Sequence, residues 1–259
     1  MTGIGFGVGI NRYRYGSGVG FDSDYKAVLD YATTQGYTLP SAGQQTLQNQ
    51  LVVDLKTAGV WSKLDTFAVF ATDGDSDFAL VDWIRLIDYT AVNSPTFTTN
   101  IGWNGDGTSS YIDPLFNPST FGGNYALNNA CFGSGGNIST SSAMIATNQV
   151  RSNLRANSSN FNGINSTTTI APLSNFTSTT SLRYHDRASN LEYTRIENDT
   201  IIETVLQPSN ALPTYIYVMR DLFNFASSGD KFSYFFAGSS LANNRVAFNT
   251  AISNYITSL

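Results

Sequence analysis

LEYTRIENDTIIETVL, residues Leu191–Leu206, is the stretch whose reading decides the fold. Two runs of Tyr, Thr, Ile and Val flank the pair Asn198-Asp199. β-Branched and aromatic side chains suit a pleated, half-buried surface. Asn and Asp tolerate the positive φ that a tight hairpin turn demands. The spacing predicts a β-hairpin with arms Leu191–Glu197 and Thr200–Leu206.

Outward from this hairpin the same signature recurs. Phe78–Trp83, Thr96–Trp103, Ser109–Asp113, Tyr125–Phe132, Ser141–Thr147, Leu182–Tyr184, Thr214–Arg220 and Lys231–Ala237 read as further strands. Phe67, Val69 and Ala71 alternate with Ala68 and Phe70 just before them. Many short strands between Gly, Asn and Ser turns predict an all-β sandwich or jelly roll.

Helical spacing is confined to the two ends. Tyr25, Val28, Leu29 and Ala32 follow Ser23, and Gly36 is a stop. Ser41 and Gln44 have capping-box spacing ahead of Leu47, Leu51, Leu55 and Ala58, and Gly59 ends that stripe. Leu241, Phe248, Ile252, Tyr255 and Leu259 predict a closing helix capped by Ser239 or Ser240. The predicted organisation is an attachment segment over 1–22, a helical pair over 23–64 and a sandwich over 65–259.

Composition narrows the function. Charged residues are 13% of 259 and the formal net charge is −5. No Lys/Arg run offers the clustered cations that phosphate contacts require, so no nucleic-acid partner is expected. No apolar stretch reaches the roughly 18 residues of a membrane helix, and no membrane insertion is expected. The first residues do not read as a secretory signal, which points to release by lysis within a virus particle. Cys131 is the one cysteine, which excludes an intramolecular disulfide and reads as a small buried hydrophobe. Gly3, Gly5, Gly7 and Gly9 alternate with Ile4, Phe6, Val8 and Ile10, a pattern suited to a strand donated to another virion subunit.

Two sets of segments carry a resemblance. The hairpin, LPTYIYVMRD (212–221) and FSYFFAGSSLANNRVAFNTAISNYITSL (232–259) resemble the late strands and ending of concanavalin A-like (laminin-G-like) domains. Here Asn198-Asp199 stands where an Asn-Gly-type turn is usual. LDTFAVFATDGDSDFALVDW (64–83) and AVNSPTFTTNIGWNGDGTSSYIDPLFNPS (91–119) look like the opening of lectin-like domains in bacteriophage structural proteins of tails, head fibres and spikes. The resemblance spans about Val60 to Leu259, and the helical pair resembles segments preceding such domains. It implies a concanavalin A-like jelly-roll sandwich at a virion surface, with no binding residue transferred.

Candidate sites are few. Asp73, Asp75 and Asp77 alternate in an acidic turn. An EF-hand would need glycine where Phe78 stands and glutamate where Ile84 stands. The turn therefore reads either as a solvated link between two strands or as a Ca²⁺ site completed by backbone carbonyls. Trp103, Asn104, Asp106 and Tyr111 have the composition of a sugar-binding loop, an aromatic to stack on the ring and amide or carboxylate groups for its hydroxyls. The bland alternative is a glycine loop with a buried Trp103. His185 and Asp186 are neighbours on a strand and point to opposite faces, which excludes a dyad. Glu192, Glu197 and Glu203 read as solvated, and no catalytic residue is assigned. The expectation is a non-enzymatic virion surface protein, displaying a lectin-like domain for a host glycan or receptor as a homo-oligomer, a trimer or pentamer. The alternatives are a purely structural capsid, penton or tail protein, and a glycan hydrolase, which would need facing carboxylates roughly 5–9.5 Å apart.

Overall fold

A computed structural model describes residues 20–121, 123–139, 143–147, 152–155, 162–166, 176–178, 180–220, 225–226 and 228–259. The segment predicted as a donated strand lies outside them through residue 19. The elements run α1 (Ser23–Gln35), α2 (Ala42–Thr57), β1 (Leu64–Val69), β2 (Thr90–Val92), β3 (Thr96–Thr98), β4 (Gly102–Asn104), β5 (Tyr111–Phe116) and α3 (Pro118–Phe121). There follow β6 (Ala130–Asn137), β7 (Ala143–Thr147), β8 (Leu154–Arg155), β9 (Thr180–Arg187), β10 (Tyr193–Glu197), β11 (Thr200–Val205), β12 (Ile216–Val218), β13 (Lys231–Gly238) and α4 (Arg245–Ile256).

The strands form two antiparallel sheets. The larger has the order β11-β10-β9-β6-β13-β4-β3, with β1 also paired to β13; the smaller is β2-β5-β12-β7-β8. Phe70, Phe132, Phe232 and Phe235 from the large sheet meet Ile112, Phe116, Ile145 and Val218 from the small one in a buried core. This is an all-β sandwich of jelly-roll type with short N-terminal helices and a C-terminal helix.

The other face of the large sheet is buried too. Phe67 and Val69 of β1, Tyr184 of β9 and Phe236 of β13 pack with Tyr25 and Val28 of α1, Leu51 and Leu55 of α2, and Phe248 and Ile252 of α4. Strands covered on both faces need apolar residues at successive positions. That is why Phe67-Ala68-Val69-Phe70 is unbroken: Phe67 and Val69 face the helices, Ala68 and Phe70 the sandwich.

The deciding hairpin forms as predicted. β10 and β11 pair from Tyr193↔Val205 to Glu197↔Thr200, and Asn198 takes φ 57° at the turn. Thr96–Trp103 is not one strand but a hairpin of β3 and β4, turned at Asn100 with φ 61°. Gly102 has φ 113°, and a Cβ there would lie 2.0 Å from the Phe232 carbonyl oxygen, so only glycine lets β4 reach β13. Phe78–Trp83 is not a strand either. Phe78–Leu80 form a 3-10 turn started by Asp75 Oδ1, which accepts from Phe78 N at 2.8 Å. Its apolar run is split between the two cores, which needs no strand: Ala79 and Leu80 join the sandwich, Phe78 and Trp83 the helical layer. β6 begins at Ala130, later than the predicted Tyr125, because the Tyr125 amide donates to Asp65 Oδ2 at 2.6 Å.

Three helix caps are corrected. Asp22, not Ser23, caps α1, accepting from Asp24 N. α2 does begin at Ser41, whose hydroxyl accepts from Gln44 N at 3.3 Å. The Gln44 amide turns inward, however, taking Thr72 Oγ1 at 2.8 Å and giving to Asn100 Oδ1 at 2.7 Å. α2 ends with Ala58 as its cap, one residue before the predicted Gly59. α4 starts after Asn244, not at Ser239 or Ser240. Ser239 N donates to the Lys63 carbonyl at 2.9 Å, while Asp186 Oδ1 accepts from Ser240 Oγ at 2.5 Å and its Oδ2 from Leu241 N at 2.6 Å.

Candidate functional site

The four residues of the predicted sugar loop do not converge. Trp103 is 4% exposed, lies in the sandwich core and packs on Phe97 at 5.3 Å. Asn104 is buried and accepts from Lys231 Nζ at 2.9 Å. Asp106 is exposed, but its carboxylate organises its own loop. Oδ1 accepts from Thr108, Ser109 and Ser110 amides at 2.8, 2.8 and 2.9 Å. These donors, Ser109 N foremost, hold the Asp106 carboxyl well below the usual carboxylate range. The loop abuts Ala226, since a Cβ on Gly105 would sit 3.0 Å from the Ala226 carbonyl.

Tyr111 is different. β5 alternates: Ile112 and Phe116 point into the core, while Tyr111, Asp113 and Leu115 point outward. β12 does the same, with Ile216 and Val218 inside and Tyr217 outside. Period-2 geometry therefore brings Tyr111 and Tyr217 side by side on the outer face, rings 5.3 Å apart at 77°. Phe225 lies 6.4 Å from Tyr111. Tyr215, 43% exposed, lies 6.2 Å from Tyr217 with ring planes 12° apart. The Arg220 guanidinium sits over Tyr111, Tyr217 and Phe225 at 4.6, 5.0 and 5.2 Å.

Asp113 completes this face. Its Oδ1 accepts from Leu115 N at 2.8 Å. Burial raises its pKa, against the opposing pull of Arg220 and Arg85. Burial likewise raises the Tyr217 phenol, with Asp113 the next contributor. The outcome is a shallow platform of four rings around one guanidinium and one carboxylate. Of the sequence candidates only Tyr111 belongs to it. Tyr215 and Tyr217 were legible as a Tyr-x-Tyr alternation in a predicted strand; Arg220 and Phe225 left no such signal.

The acidic turn serves the fold. Asp73 Oδ1 accepts from Ser41 N at 3.0 Å, and Asp75 Oδ2 accepts from Thr38 N at 2.6 Å. These bonds fasten the α1–α2 connection to the end of β1. Asp77 precedes the 3-10 turn and makes no side-chain cap. Among the described residues no three His, Cys, Asp or Glu side chains gather as a metal would need. The turn leads into a 3-10 turn, so it is not the link between two strands.

The sandwich interior holds charged side chains. Arg183, Arg187 and Arg195 are fully buried on β9 and β10. Arg183 Nη2 donates to the Ile138 carbonyl at 3.0 Å, and Arg187 Nη2 to the Gln207 carbonyl at 3.0 Å. Arg195 Nη1 pairs with Glu203 at 3.2 Å. Glu197, expected to be solvated, is 6% exposed and accepts from Ser178 N at 3.0 Å and Thr177 Oγ1 at 2.8 Å. The reason is that β9 and β10 both lie inside the large sheet, so their side chains on the covered face have no route to water. His185 and Asp186 do point to opposite faces: His185 Nδ1 contacts the Gly163 carbonyl at 3.2 Å, and Asp186 reaches Ser240.

Fold and site together define a β-sandwich with an aromatic outer face. No protein-family model matches the chain, and no curated protein matches it. Two solved structures are similar in fold. One is a mutant of Trypanosoma rangeli sialidase displaying trans-sialidase activity, at 9% identity and TM-score 0.45, covering 83% of this chain and 40% of that one. The other is domain 4 of AbnA, a GH43 extracellular arabinanase from Geobacillus stearothermophilus, in complex with arabinotriose, at 9% identity and TM-score 0.49, covering 72% of this chain and 98% of that one. The sequence expectation of a non-enzyme is corrected by these neighbours, which come from carbohydrate-active enzymes; the exclusion of catalysis does not stand. The likeness is one of fold and brings no activity with it.

Proposed function

We propose that the outer face of the five-stranded sheet binds a glycan, and that the chain is a lectin-like module displayed at a bacteriophage surface. The platform of Tyr111, Tyr215, Tyr217 and Phe225 around Arg220 and Asp113 carries the glycan part. Sugar rings pack their C–H faces on aromatic rings, and their hydroxyls bond to carboxylate and guanidinium groups. The virion part is supported by the sequence resemblance and by the alternating Gly and apolar residues of 1–22, which would fasten the module to other virion proteins. A shallow face gives weak binding; a millimolar site is worth about 4 kcal/mol. Display as a trimer or pentamer, many copies to a particle, would raise avidity by about 10²–10⁴.

The test is a glycan array probed with the full chain and with Tyr217→Ala. Binding by the parent that the variant loses supports the reading; equal signals, or none from either, overturn it. Assaying any bound glycan for new reducing ends then distinguishes holding from cleavage.

The alternative, a structural virion protein without a ligand, draws on a different observation. Leu191, Ile201 and Leu206, at the edge hairpin, are 63%, 42% and 77% exposed, which suits a protein contact.

A further inference from the structure

A pocket of about 380 Å³ lies between the second half of α4 and the face of the large sheet that the helices cover. Ile252, Ser253 and Ile256 of α4 form one wall, and Leu182 of β9 and Tyr234 of β13 the other. The turns at Asn100 and Asn198 also line it. Its volume falls in the range of small-molecule sites.

Glycines of β6 shape this face of the sheet. Gly133 stands opposite Tyr184 and Phe236, and Gly135 opposite Leu182 and Tyr234. All four of those partners face the helices. At Gly133 a Cβ would meet Tyr184 Cβ at 2.3 Å and the Phe236 ring at 2.7 Å. At Gly135 the space is taken by the Tyr234 hydroxyl, 2.0 Å from the position of a Cβ, with the Ser181 carbonyl at 2.8 Å. The Tyr234 hydroxyl therefore lies over the seam between β6 and β9. Residues of that seam, Gly136 and Asn137 on one strand and Thr180 to Leu182 on the other, line the pocket.

That hydroxyl points to a ligand. Tyr234 is 4% exposed, and its phenol makes no hydrogen bond among the described residues. Buried tyrosine hydroxyls ordinarily find a partner. Burial pushes the phenol up, so it stays a neutral donor and acceptor. The Tyr184 phenol is unpartnered as well, but it is enclosed and does not line the pocket, whereas Tyr234 does.

The chemistry of the walls selects the ligand. No residue lining the pocket is acidic, basic or histidine, so a charged ligand would give up its hydration with no counter-charge. Leu182 and Ile252, each 3% exposed, make the deeper walls aliphatic. A sugar held there would leave several hydroxyls without partners. An apolar body with one oxygen for Tyr234 has neither fault.

We propose that this pocket binds an uncharged small molecule of one ring or a short chain, apolar along its body, with a single hydroxyl or carbonyl oxygen that hydrogen-bonds the Tyr234 hydroxyl. The site lies on the other sheet from the aromatic platform and does not rest on the glycan reading.

The test uses the ¹⁵N-labelled full chain. The probes are phenol and cyclohexanol, with toluene as the ring without an oxygen, sodium benzoate as the anion and methyl β-glucopyranoside as the polyol. The reporter is the Leu182 amide, which donates to Asn198 Oδ1 at 3.1 Å. Phenol or cyclohexanol should shift it saturably, with a Kd of about 1 mM or below. Tyr234→Phe should weaken both hydroxyl probes about fivefold, leave toluene unchanged and leave the melting temperature where it was, since the lost hydroxyl has no partner to strand. Ser253→Trp, at an exposed position of α4, should fill the pocket and abolish binding. Tyr217→Ala, on the other sheet, should leave it intact. The proposal falls if neither hydroxyl probe moves the Leu182 signal, if benzoate or the glucoside binds more tightly than both, or if Tyr234→Phe or Ser253→Trp binds them as the parent does. A glycan array silent for the platform would leave this result standing.

Discussion

Tyr111 and Tyr217 stand on adjacent strands with their rings 5.3 Å apart, and Arg220 lies over both, 4.6 Å from one and 5.0 Å from the other. Tyr111 also packs against the edge of the sandwich core, whereas Tyr217 does not belong to that core, which its strand neighbours Ile216 and Val218 fill. The first prediction follows from this division of labour. Tyr217→Ala should lose glycan binding while costing only about 0.5–1.5 kcal/mol of stability, the worth of the ring pair. Array binding and urea denaturation check the two parts.

Arg183 is the second test. Its Nε lies 3.8 Å from Glu197 and its Nη2 serves the Ile138 carbonyl. Arg183→Ala leaves a buried carboxylate and a buried carbonyl with fewer partners, and should cost about 3–5 kcal/mol. Arg183→Met with Glu197→Gln should recover part of that loss. Denaturation midpoints of the single and paired variants measure both.

A pH dependence is expected from the pair on β9. Burial, and then Arg195 and Arg187, hold His185 well below its usual pKa in the folded chain. The unfolded chain therefore takes up the proton first, and this residue's contribution is present above about pH 6.5 and lost as pH falls below it, by up to about 1.4 kcal/mol per pH unit. Asp186 has the opposite sign. Burial raises it to about 6, so its contribution is present below the unfolded carboxylate range and lost as pH rises through about 6. His185→Phe should flatten the fall in melting temperature between pH 6.5 and 5, while Asp186→Asn should steepen it.

The acidic turn gives a fourth test. Asp75 accepts from both Thr38 N and Phe78 N. Asp75→Ala should destabilise the chain by about 1–3 kcal/mol, with hydrogen exchange rising first at the α1–α2 connection. Adding EDTA or Ca²⁺ to the parent chain should leave its melting temperature unchanged.

These cases separate what local sequence specifies from what it does not. The Asn198 turn and the Ser41 cap rest on local chemistry, a residue type that tolerates φ 57° and a hydroxyl three residues from the amide it accepts from, so the reading from sequence was correct. Phe78–Trp83 misled because a buried apolar run looks the same whether it lies in a strand or fills two cores from a turn. Trp103 and Asp106 misled for a related reason. Composition names the groups in a loop but not the side of the sheet on which each ends.

The sequence by itself determined that this chain folds into paired antiparallel sheets with helices at its ends, because periodicity, turn chemistry and caps act over a few residues. Only the tertiary structure decided which strands are covered on both faces, burying Arg183, Arg187 and Glu197, and which leave a face open, exposing Tyr215 beside Tyr217. The physical reason is that burial depends on what packs above a strand, and those partners come from parts of the chain far away in sequence.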